Sequence, residues 1–311
     1  MLLRKFRQYW ASVFIVLGIA FLCVFLTEQV NLVDRRLTIY APALFTTLGL
    51  QLIFWWVTVF NWRLVLSATT STTISFPHGF GHILITTLGK YLPGKIWGLV
   101  ARGAILRRNG VVAEKSATAL YYEFILSIYT ALLVAAVASS MLYPSWHTMG
   151  LGLAAVLSIP VLPYFQGAIL GIFRPYLHKI NKNINPDHSP ALKLSNYYLI
   201  LLTSSLTWIT SGCILAGVLL TFFKADLSTN LFLTLVLANT IGILAGFFAL
   251  FAPGGIGVRE ALSSSILASV MPLPDAIALV IIFRLWVMGS ELVGGILSIH
   301  VLRDFLNPKS P

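Results

Sequence analysis

The chain has 311 residues, 58% hydrophobic and only 10% charged, with a mean hydropathy of +0.87. A soluble domain carries about 25% charged residues, so the composition excludes an ordinary water-soluble globule, and its continuous apolar runs exclude an alternating outer-membrane barrel. The formal charge of +11, from 21 Lys and Arg against 10 Asp and Glu, comes with no aromatic–basic module. It is assigned to loop topology and anionic headgroups rather than to nucleic acid.

A crossing takes about 20 apolar residues. Arg4, Lys5 and Arg7 precede an apolar run at about 9–27. That run is too long for a signal-peptide core and no small-x-small cleavage site follows, so it reads as a retained first span. A second span is predicted at about 38–62, ending at Asn61-Trp62-Arg63, with a Thr/Ser-rich connector at 67–77. The less apolar stretch 78–109 predicts a re-entrant pair of half-helices. Further spans fall at about 116–142, 148–173, 196–223, 229–251 and 276–302, the last after the turn Met271-Pro272-Leu273-Pro274-Asp275.

Lys and Arg concentrate at the N-terminus, in 78–116, in 174–195 and in the tail, whereas Tyr143 to His147 has none. The positive-inside rule then places both termini in the cytoplasm. That requires an even number of crossings, so 256–271 is expected to cross as well, for about eight in all. The predicted fold is all-α, a single integral membrane domain over 1–311. The loop 174–196 is a plain connector, and nowhere is there room for a separate catalytic domain.

Two segments break the helical pattern: Gly89-Lys90-Tyr91-Leu92-Pro93-Gly94-Lys95-Ile96-Trp97-Gly98 and Ala252-Pro253-Gly254-Gly255-Ile256-Gly257-Val258-Arg259-Glu260. Glycine and proline interrupt helices and free amides and carbonyls that need partners. At membrane depth such backbone is tolerated only inside protein or beside a water-filled cavity. Tyr91–Ile96 and Phe251–Ile256 align without gaps, and each is followed by an arginine, Arg102 or Arg259. A two-fold internal repeat with motifs at 89–110 and 251–261 is one reading, and corresponding broken segments in two halves point to a transport site between them. Chance similarity over six positions is the other.

The candidate headgroup-binding residues are Lys90, Lys95, Arg102, Arg107, Arg259 and Arg284. Amides after Pro93-Gly94 open a helix whose N-terminus attracts anions, and guanidinium groups grip phosphate in a fork. Topological signalling by the same cations is the plain alternative. Pro93, Gly94, Gly98, Pro253, Gly254, Gly255 and Gly257 are the expected backbone breaks. Glu123, Glu260 and Glu291 are the carboxylates expected to balance charge or gate. Charges at the bilayer centre are costly and persist when paired or wetted. For Arg284 and Glu291, an Arg–Glu brace between helices is as compatible with the sequence as ligand contact. Asn239 and Thr240 read as interhelical glue, and Gly242, Gly246, Gly294 and Gly295 as close-packing positions.

Cys23 and Cys213 form no disulfide framework or metal spacing, and His78 and His82 lack a third ligand. No metal or other cofactor is expected. No Gly-x-Ser-x-Gly, His-Glu-x-x-His or paired-acid constellation occurs, so the chain is not expected to be an enzyme.

The run Gly89-Lys90-Tyr91-Leu92-Pro93-Gly94, with Gly98, Arg102, Leu106 and Gly110, then Glu123, then Pro253-Gly254-Gly255-Ile256-Gly257-Val258-Arg259-Glu260-Ala261, resembles the flippase-like transmembrane domain of lysylphosphatidylglycerol synthases over about 1–305. The resemblance implies about eight spans with re-entrant segments and translocation of lipids between leaflets. It also implies a bacterial or archaeal cytoplasmic membrane. Two departures bear on the substrate. Gly98 is followed by Leu99 rather than Glu, and Glu123 by Phe124-Ile125-Leu126-Ser127 rather than Arg-x-x-Asp. The soluble aminoacyl-transferase domain is missing, so lysyl transfer is not expected. The Gly-Lys-Tyr-Leu-Pro-Gly-Lys form is similar to stand-alone members found with polysaccharide biosynthesis.

The expected function is therefore translocation of an anionic phospholipid or a polyprenyl or glycolipid, linked to cell-envelope or polysaccharide biogenesis. Membrane lipids, with glycosyltransferases or other envelope-synthesis enzymes, are the expected partners. Two alternatives stand beside it: a non-transporting scaffold of a glycolipid or polysaccharide assembly complex, and a membrane-embedded enzyme on lipid-linked sugars.

Overall fold

A computed structural model describes residues 39–90, 97–165, 192–223, 225–249 and 252–306. The expected first span at 9–27 and the Tyr91–Ile96 part of the first motif, with Pro93, Gly94 and Lys95, lie outside these. The described residues form nine α-helices and no strand. They are α1 (Ala41–Thr70), α2 (Phe76–Gly89), α3 (Trp97–Arg108), α4 (Ala113–Leu142), α5 (Trp146–Val161, continued by a 3-10 turn to Phe165), α6 (Leu194–Phe223), α7 (Thr229–Phe248), α8 (Val258–Leu267) and α9 (Leu273–Leu306).

Helix α1 runs eight residues past its expected end, through the Thr/Ser-rich stretch. Thr69 Oγ1 donates to Val65 O (2.8 Å) and Thr70 Oγ1 to Leu66 O (2.6 Å), so these hydroxyls are satisfied inside the helix instead of breaking it. The helix stops at Ser71, which adopts φ 59°. Asn61-Trp62-Arg63 is thus helix interior: Trp62 is fully buried, and Arg63 Nε donates to Ile74 O (2.8 Å).

Interhelical contacts fix the directions of the long helices. Thr47 of α1 lies against Gly217 and Thr221 of α6, while Thr203 Oγ1 at the other end of α6 donates to Asn61 Oδ1 (2.7 Å), so α1 and α6 are antiparallel. Helices α4 and α5 form a hairpin with Gly152 against Ser140. Its turn is capped reciprocally: Thr148 N donates to Ser145 Oγ (3.3 Å) and Ser145 N to Thr148 Oγ1 (3.0 Å). The outer face of α5 exposes Met149, Leu153, Val156 and Leu157, an apolar surface for lipid.

Two antiparallel helix pairs fill the middle. Gly89 of α2 sits on Gly98 of α3, and Gly98 on the backbone of Thr86, closing a tight hairpin of 14 and 12 residues. The second pair is α7 and α8: Ser263 Oγ donates to Ala238 O (2.9 Å), and Gly246 packs on Gly255 and Arg259. Hairpin α2–α3 enters from the end where α1 finishes, and α7–α8 from the opposite end, where α6 finishes.

Among the described residues six helices are long and apolar enough to cross a membrane: α1, α4, α5 with its 3-10 turn, α6, α7 and α9. The expected crossing at 256–271 is instead the 10-residue α8. At 1.5 Å per residue it rises about 15 Å, roughly half a bilayer core, and it folds back along α7. The expected count of eight is not reached among the described residues.

The apolar core is in two parts. One gathers Trp55, Trp62, Leu66, Leu84, Leu106, Leu126 and Ile200 around α2–α3. The other gathers Leu215, Leu219, Leu235, Leu267, Leu279 and Phe283 around α7–α8.

Candidate functional site

The tips of the two hairpins meet. Gly254 N donates to Lys90 O (3.0 Å), joining the second Pro-Gly turn to the end of α2. The Lys90 carbonyl at the end of α2 and the Gly254 amide in the second turn are thus each other's partner. Gly254 and Gly255 take φ of 60° and 74°, and a Cβ on Gly255 would lie 2.7 Å from Gly246 Cα. Only glycine fits there.

Helix α9 runs past this junction and ties it with charge. Arg284 Nη2 donates to Gly254 O (2.7 Å), and its Nε lies 3.7 Å from Glu260 Oε1. The other Glu260 oxygen accepts from Gly257 N (2.7 Å), capping α8. Two turns further along α9, Glu291 forms an ion pair with Lys90. Arg284 and Glu291, seven residues apart, each hold a different hairpin tip to α9, as braces between helices. Arg259 is 8% exposed, and its guanidinium carbon lies 5.6 Å from the Phe283 ring centroid.

Beside the junction lies a cavity of about 250 Å³. Lys90, Arg259 and Glu291 line it, with Gln51 and Thr58 of α1, Ser127 of α4, Thr207, Trp208 and Ser211 of α6, and Ser290 of α9. Gln51 is ten residues into α1, so at 1.5 Å per residue it lies about 15 Å from the start of that helix, near the middle of a membrane core. A polar, charged recess at that depth is the arrangement that lowers the cost of a charged group inside a bilayer.

Arg102 lies elsewhere. It is 1% exposed, forms an ion pair with Glu123 of α4, donates to Thr86 Oγ1 (3.2 Å), and sits 3.5 Å over the Trp62 ring. Sequence alone offers Glu123 no partner on its own span, and α3 supplies one. This group reads as a brace of the first hairpin. Arg107 is exposed in the last turn of α3 beside Arg108, outside the tip cluster, where cations favour the helix C-terminus. Gly98 is a packing residue within α3 rather than a break. Asn239 Nδ2 donates across to Ser211 Oγ (2.9 Å), the interhelical role expected of it, whereas Thr240 Oγ1 bonds its own helix at Val236 O (2.8 Å).

Gln51, Thr58, Thr207 and Ser290 escape sequence reasoning. Each is a lone polar residue in an apolar run, a pattern shared with ordinary interhelical glue.

Two broken hairpins meeting tip to tip inside long apolar helices, beside a buried ionic recess, define a polytopic helical membrane protein. The chain belongs to the lysylphosphatidylglycerol synthase TM region family, which it matches over residues 9–288. Comparison with curated proteins finds no match.

Proposed function

We propose that this membrane protein carries the headgroup of an anionic lipid between leaflets, without covalent change, through the recess at the hairpin tips. The observation that carries the reading is the cavity bordered at once by Lys90, Arg259 and Glu291. A phosphate crossing hydrocarbon loses its water. Cations lining the recess replace part of that hydration, while the acyl chains stay in the bilayer. The Lys90–Glu291 pair adds a gate: an arriving phosphate competes with the carboxylate for the ammonium, loosening the hold of α9 on the first tip. The finer assignment follows the same line: an anionic phospholipid or a polyprenyl-linked glycolipid of the cell envelope, with the Arg107, Arg108 and Lys115 end facing the cytoplasm.

The test is a leaflet assay. Full-length protein is reconstituted into vesicles with fluorescent phosphatidylglycerol, and outer-leaflet label is quenched chemically. Wild type is expected to expose inner-leaflet label that empty vesicles retain. Arg259→Ala and Lys90→Ala are expected to slow this about tenfold or more, since a charge-assisted hydrogen bond contributes about 1.5–3 kcal/mol. Wild-type vesicles that behave as empty ones reject the reading.

A further inference from the structure

We propose that Arg284, outside the cavity wall, is a positioning residue: it holds Lys90 in place through the Gly254 backbone, so that both hairpin tips and α9 form one clasp that opens as a unit. This deepens the reading above, as the regulation of that same recess, and rests on it.

The contacts close a ring. Arg284 Nη2 donates to Gly254 O (2.7 Å). Gly254 N donates to Lys90 O (3.0 Å). The Lys90 ammonium pairs with Glu291, which returns the path to α9 seven residues after Arg284. Seven residues are nearly two turns, so both side chains leave one face of the helix about 10 Å apart. One helix thus grips two tips that enter from opposite ends. Arg284 is 5% exposed and is not among the described residues that line the cavity, whereas Lys90 and Glu291 are.

Each joint of the ring serves two links, which makes the links interdependent. Gly254 uses its N–H for Lys90 and its C=O for Arg284, with φ 60° setting the angle between them. Glycine rotates readily, so a Gly254 carbonyl released by Arg284 also lets its N–H turn from Lys90. Lys90 follows α2 directly, where the last carbonyls of a helix have no intrahelical partner. Its own amide donates to Thr87 O at 3.3 Å, a long bond. Removing the Gly254 donor therefore loosens the end of α2 that carries the ammonium to Glu291.

The neighbouring contacts tie in the same parts. Glu260 Oε1 lies 3.7 Å from Arg284 Nε, and Oε2 accepts from Gly257 N (2.7 Å), so the first turn of α8 is joined to the ring. Behind the pair, Leu84 and Leu88 of α2 rest on Gly294 and Gly295 of α9. Apolar contact is non-directional, which leaves the polar links to fix where the tip sits. An anion that draws Lys90 from Glu291 then loosens the second tip as well as the first. Independent contacts would release the first alone.

The experiment is thiol modification of Ser290→Cys, a cavity position, in the full chain in detergent with Cys23 and Cys213 replaced by serine. The reagent is a neutral methanethiosulfonate, so that cavity charge does not set the rate. Arg284→Gln and Glu291→Gln are each expected to speed modification about tenfold, the factor corresponding to one lost charge-assisted hydrogen bond. The double variant is expected to react no faster than either single one, although positions about 10 Å apart ordinarily give additive effects. Glu260→Gln, which keeps the acceptor for Gly257 N, replaces Arg284→Gln should that variant not fold. Thr203→Val removes a buried bond to Asn61 outside the ring and is expected to leave the rate unchanged.

Rates that multiply in the double variant overturn the proposal, as does a thiol rate unchanged by Arg284→Gln. No lipid moves in this measurement. Non-multiplying rates from a protein that fails the leaflet assay keep the clasp and remove translocation. Multiplying rates from a protein that passes it remove the clasp alone.

Discussion

At the residue scale, the buried charges divide into a brace and a site. Arg102 and Glu123 stand out in the sequence because each is a charge in apolar surroundings. Their mutual pairing is not legible, since it depends on how α3 lies against α4. Nor is the Trp62 ring beneath Arg102, because Asn61-Trp62-Arg63 looks like the polar end of a span. Breaking a buried pair strands a charge at a cost of about 3–5 kcal/mol, whereas replacing both members with apolar residues is often near neutral. Glu123→Leu alone and Arg102→Met alone are therefore expected to lower unfolding stability in detergent by about that amount, and the double substitution to recover most of it. Additive losses would show that the two residues do not act as a unit. Lys90 and Glu291 behave differently: Lys90 keeps 31% of its side chain exposed, so its loss should fall on lipid handling more than on stability.

At the scale of elements, both hairpins are legible because Pro and Gly interrupt otherwise apolar helices. The tip-to-tip hydrogen bond from Gly254 to Lys90 is not, being a contact between segments far apart in sequence. The Thr/Ser stretch misleads for a local reason: hydroxyls that look like a connector to a reader bond back to their own helix when buried. Likewise 256–271, expected to cross, holds only the ten residues of α8 before the Ala268–Met271 turn ends it. Glycines along these helices are not equivalent. Gly255→Ala is expected to cost about 1–3 kcal/mol for its backbone conformation, with more from the clash with Gly246. Gly49→Ala, a helical position with open space around it, is expected to stabilise by up to about 1 kcal/mol. Thermal unfolding of the purified variants separates the two, and equal effects would contradict the close approach at the tip.

At the scale of the molecule, the two hairpins enter from opposite ends and each returns toward the end it left. The halves share an order: a 30-residue helix, a broken pair, then another long helix. With α1 and α6 antiparallel, this shared order is compatible with an inverted internal repeat, the reading in which broken segments of two halves would build a site between them. Charge predicts an orientation: Arg107, Arg108 and Lys115 cluster at one end, and Tyr143 to His147 at the other has no Lys or Arg. Cysteines placed at the exposed Asn109 and Ser145 are expected to react with impermeant reagents from opposite sides of the membrane, Asn109→Cys from the cytoplasm. Reaction from the same side would contradict the path of α4.

The central claim is that a wetted, net-positive recess lies among the helices where the tips meet. Its most direct measurement is thiol modification in native membranes, with Cys23 and Cys213 replaced by serine and single cysteines at Ser290 in the cavity or Ile209 on the exposed apolar face. Ser290→Cys is expected to react with charged methanethiosulfonates, faster with the anionic reagent than with the cationic one, and more slowly when phosphatidylglycerol is abundant. A Ser290→Cys thiol as inert as that of Ile209→Cys would contradict it.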